Sequence, residues 1–528
     1  MPLPAVLLIF RFMSLNCIEE PIFTTTICTG QATLSLPALY SALMRDDVED
    51  MPAVRPHQRQ ALHAFLVQVG ALALLEGTTT DPSLDASVWT HLLRALTYKF
   101  THDEPWSLIV EDLSKPGFLQ PPIPEGTVAP LREREQTPDS LDILVTSKNH
   151  DVKAQRMAIA TPEHWFYALL TLQTTQGYLG AGNYGISRMN GGYASRPFVG
   201  LAPSNRLGAR VRRDINRLLQ ARREVLDENS GFAAVNGIGL VWLEPWDGVS
   251  AIAPKQLDPF YVEVCRRVRL IRENARIVAL RGRSQAARIA FPKNTNGVTG
   301  DPWTPVDQRE TIAKVLTVDG GGFHYKRVAD LLDPQQYKAA LLQQWRQADG
   351  TLDHSLVLTA TAREQGGTDG FHERRIVVPT SALPFLGTRA HALASLVKER
   401  IQDAATIRAR VLLTALYVLF QRAPDELKFP HAACETKAAP FLAAFDRGVD
   451  RNFFDALFDE LAAPDGTAKR TARRQWIYTL KELAVLQLEA AKGATPRSGI
   501  RRYQAEGAAE DAIEFGFRKH FSMEMTHD

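Results

Sequence analysis

A dense run of glycines constrains this chain more than any other feature of its sequence. Six of the sixteen residues in 177–192 are glycine, and Asn183, Arg188 and Asn190 lie among them. Glycine adopts positive φ without steric cost and lets the backbone approach a ligand closely, so this run cannot form a regular helix or strand. We therefore expect a loop whose main chain forms a contact surface for an anionic or hydrogen-bonding ligand, with nucleic acid as one candidate.

Neither of the common phosphate-binding motifs explains the run. It lacks the Gly-Lys-Ser/Thr ending of a P-loop, and a helix rather than a strand is predicted before it, which argues against a dinucleotide-binding fingerprint. That helix is predicted from Thr161-Pro162-Glu163, which supplies an N-cap, a proline at the first helical position and an acid in the first turn. A long surface loop without a ligand remains the alternative interpretation.

Positive charge is concentrated in the middle of a chain whose formal net charge is only +2. Residues 206–223 carry seven arginines and one acid, and a helix over 206–224 places Arg206, Arg210, Arg213 and Arg217 along one face. A solvated face usually mixes both signs, so we expect these four residues to contact phosphates of DNA or guide RNA. A plain solvated face remains the alternative.

A second basic segment covers residues 264–288, with eight arginines and one acid. Arg266, Arg267 and Arg269 alternate with Val264 and Val268, which predicts the polar side of a strand with some structural ion pairs.

With 528 residues, the chain is too long for one core. The predicted fold class is α+β, with a large mixed α/β globular domain over 1–385 and a four-helix bundle over 386–528. The bundle is predicted from periodic apolar helices separated by short breaks, at about 388–422, 438–462, 467–493 and 505–520.

Further elements are predicted within the first domain. Apolar positions spaced along one face predict a helix over 56–75. The β-prone residues 356–360 and 373–378 lie on either side of Gly366-Gly367, which predicts a hairpin or a long β-loop.

Cysteine spacing and hydropathy favour a cytoplasmic protein. The four cysteines show no CxxC spacing, which argues against a zinc site and a disulfide framework. No apolar run approaches the length of roughly 18 residues that a membrane span needs, so no membrane partner is expected. The apolar residues 5–10 predict a first strand, or a start codon assigned too early with Met13 as the true beginning.

Catalytic motifs are absent from the sequence. It contains no HExxH, GxSxG or kinase signature and no carboxylate pair at metal spacing. His150 beside Asp151 is the one pair that resembles a general base, but no nucleophile accompanies it, and the polar residues 147–153 are more typical of a loop that touches phosphate or water.

Four segments together resemble a known family, the large subunit CasA of the type I-E CRISPR surveillance complex Cascade. The most specific match is Gly180–Gly192 followed by Arg196–Val199, which is similar to the glycine loop of that family. The others are Gly300–Trp303, Glu373–Arg375 and the helical carboxy-terminal region.

The resemblance implies roles for particular residues. Gly180, Ala181, Gly182 and Asn183 correspond to the loop that reads the protospacer-adjacent motif from the minor groove, where readout is degenerate. Lys148, Asn149 and His150 correspond to a loop that touches the motif and the guide, and a wedge hairpin corresponds to Gln365, Gly366, Gly367 and Thr368. The resemblance does not decide whether Gln365 or Thr368 is the wedge residue. It also leaves three candidates for the lysine that reads the motif in that family, namely Arg283, Gln285 and Lys293. Arg283 also joins Arg206, Arg210, Arg213 and Arg217 as an expected basic contact.

The function that follows from the resemblance is recognition of DNA without catalysis, metal or cofactor. The expected partners are other Cascade subunits, CRISPR guide RNA, double-stranded target DNA and a helicase–nuclease that the chain recruits. Two alternatives from other classes remain open. One is a metal-dependent nuclease or hydrolase that uses His150 and Asp151, and the other is a structural RNA-binding scaffold that reads no motif.

Overall fold

The structure is a computed structural model that describes residues 15–146, 157, 159–192, 194–228, 231–274, 276–364, 367–421, 427–494 and 499–525. Packing of the backbone divides the chain into two compact units. Unit 1 comprises Met1–Phe323 and Gln335–Val377, and unit 2 comprises His324–Pro334 and Val378–Asp528. The predicted domain boundary between residues 385 and 386 stays a prediction. The strand or alternative start expected before Met13 lies outside the described residues.

The described strands are short, apart from one long pair near residue 360. In chain order they are β1 Phe23–Ile27, β2 Gly30–Leu34, β3 Val48–Asp50, β4 Glu133–Glu135, β5 Phe198–Ala202, β6 Ile238–Leu240, β7 Leu257–Val262, β8 Arg267–Glu273, β9 Arg276–Gly282, β10 Val306–Asp307, β11 Lys314–Val315, β12 Tyr337–Lys338, β13 His354–Glu364 and β14 Gly367–Val378. They form four three-stranded sheets of order β2-β1-β3, β4-β9-β8, β11-β10-β12 and β14-β13-β5, with β6 and β7 as a parallel pair.

The helices are longer and carry most of the core. They are α1 Leu36–Met44, α2 Pro56–Glu76, α3 Ala86–Ala95, α4 Pro162–Thr175, α5 Leu207–Glu228, α6 Tyr325–Leu331, α7 Ala390–Thr406, α8 Leu413–Phe420, α9 Ala432–Ala462, α10 Gly466–Gly493, α11 Ile500–His520 and α12 Ser522–Met525. The helices predicted over 56–75, from Pro162 and over 206–224 are thereby confirmed as α2, α4 and α5.

Helix α2 is the centre of unit 1 and is buried on nearly every side. Its Phe65 packs edge-on against Phe118, with ring centroids 5.5 Å apart, and Phe118 stacks on Phe166 of α4 at 4.2 Å. Some buried polar side chains of α2 are paired with the backbone of distant segments, since an unpaired buried group is costly. Gln68, for example, donates to the carbonyl oxygen of Tyr261 at 2.7 Å.

Unit 2 consists mainly of long helices. A π-helical segment, Ile407–Leu412, joins α7 to α8, so that this pair forms one continuous helical run. Phe453 of α9 packs edge-on against Trp476 of α10, with ring centroids 5.9 Å apart, and Asp465 caps α10 by accepting hydrogen bonds from the N–H groups of Thr467 and Ala468 at 2.8 Å each. The predicted class, a mixed α and β region followed by a helical carboxy-terminal region, is confirmed.

Three of the four arginines expected on an exposed stripe of α5 are buried, so that part of the prediction is wrong. Arg210, Arg213 and Arg217 are at most 8% exposed, whereas Arg206 lies at the surface beside Asp46. The sequence pattern misleads here because distant segments cover this face of the helix, and they supply acceptors to Arg210 and Arg213.

Arg213 shows how such a residue is held in the interior. Its guanidinium donates to the carbonyl oxygens of Leu342 and Gln344 at 2.9 and 2.8 Å and pairs with the carboxylates of Asp214 and Asp349 at 2.8 and 3.0 Å. Buried charges persist in a fold only when they are paired and hydrogen-bonded in this way. Arg213 therefore ties α5 to the segment before β13.

None of the described helices is both long enough and apolar enough to cross a membrane. Among the described residues the cysteines are free, with Cys17, Cys265 and Cys434 buried and Cys28 exposed.

Replacing the buried guanidinium should destabilise the protein strongly. We expect Arg213→Met to lower the free energy of unfolding by about 3–5 kcal/mol, because it removes the cation that pairs with Asp214 and Asp349 and the donor to two carbonyl groups. Arg223→Met, at an exposed position of the same helix, is the matched control and should change stability by about 0.5 kcal/mol or less. Urea unfolding followed by tryptophan fluorescence measures both, and similar stabilities for the two variants would contradict the structural role of Arg213.

Candidate nucleic-acid interface

The glycine run begins where α4 ends, and the end of α4 is firmly anchored. The side-chain oxygen of Gln173 accepts hydrogen bonds from the N–H groups of Cys265 and Arg266 at 3.0 and 2.8 Å. Its amide group donates to the carbonyl oxygens of Leu119 and Arg266, each at 2.9 Å. All four contacts are buried, so the loop leaves a fixed point in the core of unit 1.

The base of the loop is a short ladder of backbone hydrogen bonds. Gly177 donates to the carbonyl oxygen of Ala194 at 3.0 Å, and Tyr178 donates to that of Gly192 at 2.9 Å. A Cβ atom at Gly177 would lie 2.5 Å from the carbonyl oxygen of Gly192, and one at Gly185 would lie equally close to the backbone of Gly177. These two glycines are therefore needed for the close approach of the loop's strands.

The buried guanidinium of Arg266 links the two sides of the glycine loop. Arg266 donates to the carbonyl oxygen of Gly177 at 2.7 Å and also to that of Tyr184. These carbonyls belong to the two sides of the loop, so one side chain holds both sides together.

The tip of the loop, residues 180–183, is a tight turn of almost bare main chain. Asn183 donates to the carbonyl oxygen of Gly180 at 3.0 Å, and Leu179 donates to that of Asn183 at 2.9 Å. Gly180 and Gly182 have φ angles of 97° and 86°, which other side chains rarely adopt. Ala181 is exposed, and no described residue accepts a hydrogen bond from the N–H groups of Ala181 or Gly182. Among the described residues these two donors therefore stay unpaired, one on the exposed Ala181 and one on the half-buried Gly182.

Arg283 lies directly against this turn. The N–H of Ser284 donates to the carbonyl oxygen of Gly182 at 3.0 Å, and a Cβ atom at Gly182 would come within 2.8 Å of the Arg283 Cβ. The Arg283 side chain is 71% exposed, and its contact with Glu133 is 3.3 Å long. An exposed ion pair of this kind contributes little to stability, so the arginine can exchange its partner. Of the predicted basic contacts, Arg283 is thus the one that the structure brings beside the glycine turn.

The second half of the loop rests on a buried carboxyl group. Glu263 accepts hydrogen bonds from the Ser187 N–H at 2.6 Å and from its hydroxyl at 3.0 Å. The guanidinium of Arg188 lies over the ring of Tyr261, 3.8 Å from its centroid. Burial raises the pKa of Glu263 to about 7, although Arg188 and the hydrogen bonds from Ser187 act in the opposite direction.

The predicted pairing of the two β-prone segments is confirmed, since β13 and β14 are hydrogen-bonded neighbours in one sheet. This pair is also connected to the glycine loop. The hydroxyl oxygen of Ser195 accepts from the N–H of Thr361 at 2.7 Å, and Gly192 packs against the Arg363 guanidinium. Thr368 is fully buried in β14, so its assignment as an exposed wedge is wrong. Gln365 and Gly366 lie outside the described residues, as do Lys148, Asn149, His150 and Asp151.

Sequence reasoning missed the residues that support the loop. Ser284, Glu263 and Tyr261 are distant from it in sequence and carry no motif, and Arg266 was assigned to the polar side of a strand although it is buried. Within the described part of the chain, no group of three or more His, Cys, Asp or Glu side chains is placed to hold a metal ion.

The buried carboxyl group beneath the loop makes a pH dependence testable. Because the folded protein holds the Glu263 proton up to a pKa of about 7, whereas the ordinary value is 4.5, stability should fall as the pH rises through this window. Glu263→Gln removes the titration. The free energy of unfolding of Glu263→Gln, minus that of wild type, should therefore rise by on the order of 3 kcal/mol as the pH goes from 4.5 to about 7.

Urea unfolding at a series of pH values measures this difference. Glu76→Gln, at an exposed carboxylate at the end of α2, should keep the pH dependence of wild type. If the difference in free energy of unfolding between Glu263→Gln and wild type is the same at every pH, the buried Glu263 carboxyl group is not neutral as we infer.

Solved structures with the same fold include three described as CasA or Cse1. CasA of Thermus thermophilus matches with a TM-score of 0.63 and 15% identity, covering 96% of this chain and 99% of that one. Cse1 of Acidimicrobium ferrooxidans matches with a TM-score of 0.62 and 15% identity, over 96% and 98% of the two chains. Cse1 of Thermobifida fusca matches with a TM-score of 0.62 and 13% identity, over 97% and 99%.

No curated protein sequence matches this chain. The family model of the CRISPR-associated protein Cse1, however, matches residues 20–486, which is most of its length. The similarity of fold and the family match agree, and the chain belongs to the Cse1 family.

Proposed function

We propose that this chain is the large subunit of an RNA-guided DNA surveillance complex of the Cascade type, and that its glycine turn reads the protospacer-adjacent motif in double-stranded DNA. Membership of the Cse1 family supports the first part of the proposal. The exposed turn at residues 180–183, with bare main chain at its tip, carries the second part.

The chemistry of the turn suits the minor groove. That groove is about 6 Å wide and displays acceptor atoms, N3 of adenine and O2 of thymine, together with the N2 donor of guanine. The free N–H groups of Ala181 and Gly182 can donate to such acceptors, and the glycines leave no side chain to collide with the groove walls. The carbonyl oxygen of Gly182 already accepts from Ser284. Readout by donors alone tolerates several sequences, so we expect a permissive motif.

Arg283 supplies the electrostatic part of the interaction. Its exposed guanidinium lies beside the turn and, among the described residues, has a surface ion pair with Glu133 as its one charged partner. A guanidinium in this position would bind the backbone phosphate next to the motif, since arginine binds phosphate in a bidentate manner. Such a contact positions the protein on the duplex without reading its sequence.

Motif binding would then start the opening of the duplex. Replacement of a DNA duplex by an RNA–DNA hybrid is nearly balanced in energy, so a local contact can decide where it begins. We assign the wedge to the connection between β13 and β14, where Gln365 is the candidate and the neighbouring Arg363 and Glu364 are exposed. The connection of β13 to the loop through Ser195 would couple reading to opening.

In this proposal the subunit performs no chemical step. Guide RNA held with other Cascade subunits supplies the sequence recognition, and the subunit recruits a separate helicase–nuclease that cuts the DNA. A metal-dependent nuclease centred on His150 and Asp151 is the rival that cleavage by the purified chain would support. A scaffold that reads no motif is the second rival, and the next experiment separates it from our proposal.

A side chain added at Gly180 should abolish motif reading without unfolding the protein. The Cβ atom would meet nothing within 4 Å in the free chain, and asparagine tolerates positive φ better than most residues, so we expect the strain at a φ of 97° to stay local. In the reconstituted complex, we expect Gly180→Asn to weaken binding to motif-bearing duplexes by about tenfold or more, which corresponds to the loss of roughly 1.4 kcal/mol. Binding to a library with randomised motif positions measures the effect.

The matched control is Gly126→Asn, another surface glycine with positive φ and no neighbour within 4 Å of its Cβ position. Both variants should melt close to wild type, and only Gly180→Asn should lose its preference for particular motif sequences. An unchanged preference in Gly180→Asn would support the scaffold and refute the assignment of the turn.

Removing the charge of Arg283 should change the salt dependence of DNA binding rather than its sequence preference. We expect Arg283→Gln to weaken binding to all duplexes equally and to reduce the slope of log K against log salt by about 1, because one phosphate contact is lost. Arg45→Gln, which removes an arginine from another exposed ion pair, should leave the slope unchanged. An effect of Arg283→Gln on one motif alone would contradict phosphate contact.

A further inference from the structure

Unit 1 contains a cavity of about 100 Å³. None of the residues that line it belongs to the glycine turn. Its walls come from α2, from the start of α5 and from β13, and the polar residues that matter are His63, Gln60, Arg210 and Thr359. A single water needs roughly 10–15 Å³ of such space, so the cavity can hold a ligand of several heavy atoms.

Arg210 is the unusual residue of this cavity. It is 8% exposed, and its Nη1 donates to the Gln60 side-chain oxygen at 3.0 Å, whereas its Nε has no hydrogen-bond partner. No carboxylate among the described residues lies within ion-pair distance of it, in contrast to Arg213 one turn further along. Burial lowers the pKa of Arg210 to about 10, so it stays charged at neutral pH.

Three further polar atoms of the cavity walls have no partner among the described residues. They are the amide nitrogen of Gln60, the hydroxyl of Thr359 and Nδ1 of His63, and each of these residues is at most 4% exposed. Buried polar groups are nearly always hydrogen-bonded, so a ligand that enters this cavity would find unpaired donors and an acceptor on its walls.

The hydrogen-bonding character of these groups favours an oxyanion. The guanidinium and the amide nitrogen are donors, and the hydroxyl can donate as well. His63 contacts the Asp214 carboxylate through Nε2 at 2.7 Å, and this acceptor places the imidazole proton on Nε2, which leaves Nδ1 as an acceptor. A hydrogen phosphate group offers both the acceptor oxygens and one hydroxyl donor.

The carboxylates of Asp50 and Glu373, which line the cavity, form their ion pairs with arginines other than Arg210. Asp50 pairs with Arg59 at 2.9 Å, and Glu373 pairs with Arg375 at the same distance. Glu49, which also lines the cavity, is exposed. Asp214 and Glu373 favour the charged form of Arg210 from a distance, but among the described residues no carboxylate pairs with its guanidinium directly, so a bound anion could do so.

We propose that this cavity binds a phosphate group, either as inorganic phosphate or as a phosphate monoester, with Arg210 as its principal ligand and Gln60 and Thr359 as further donors. A phosphate group would accept hydrogen bonds from these donors and would also pair directly with the Arg210 guanidinium, which a water molecule cannot do.

Isothermal titration of the full chain in phosphate-free buffer tests the proposal, with inorganic phosphate and a nucleoside 5′-monophosphate as separate probes. We expect saturable binding at one site per chain. Arg210→Gln should weaken it by about tenfold or more, since a charge-assisted hydrogen bond is among the strong ones. Tighter binding of the monophosphate would identify a monoester as the ligand, and tighter binding of inorganic phosphate would identify the free anion.

Two further variants keep the test decisive if Arg210→Gln does not fold. Thr359→Val removes one donor from a strand, where valine is well tolerated, and should weaken binding several-fold with an unchanged melting temperature in phosphate-free buffer. Arg223→Gln, on the same helix as Arg210 but exposed, should bind like wild type. The proposal is overturned if neither probe binds saturably, or if all variants bind as wild type does. Because DNA is absent from this experiment, its outcome is independent of the role of the glycine turn.

Discussion

The guanidinium of Arg266 holds the two sides of the glycine loop together, and the presentation of the turn depends on this contact. It donates to the carbonyl oxygens of Gly177 and Tyr184 from a buried position, while Gln173 fixes the backbone of Arg266 itself. Glycine loses more conformational freedom on folding than any other residue, so a glycine-rich loop needs such contacts to stay ordered. The donors at the tip are therefore preorganised, which reduces the ordering cost of binding.

Arginine serves opposite purposes in different parts of this unit. Arg213 and Arg266 are buried and satisfied by carbonyl and carboxylate groups of distant segments, so they stabilise the fold. Arg283 is exposed and weakly paired, as a residue that contacts phosphate needs to be. Arg210 is buried as well, but it lacks the carboxylate partners of Arg213 and lines a cavity, which is the reason to look for a ligand there. The number of arginines in a segment thus says little about its partner until their acceptors are known.

Much of the fold could be predicted from local sequence, and the support of the candidate site could not. The capping residues at Thr161 and Pro162, the apolar period of α2 and the helices after residue 386 depend on neighbours in sequence, and the structure confirms these helices. The turn at Gly180 and Gly182 is also predictable from local sequence, because backbone with positive φ favours glycine at the position itself. Burial of the α5 arginines and of Thr368 depends on segments far away in sequence, which no periodicity reveals.

Amide hydrogen exchange at Ala181 and Gly182 tests the central claim most directly. The account predicts that these two amides, which have no acceptor among the described residues, exchange rapidly in the assembled complex and slow markedly when motif-bearing duplex is added. Duplex without the motif should slow them far less. Equal exchange with and without motif-bearing DNA would show that the bare main chain of the turn does not enter the groove.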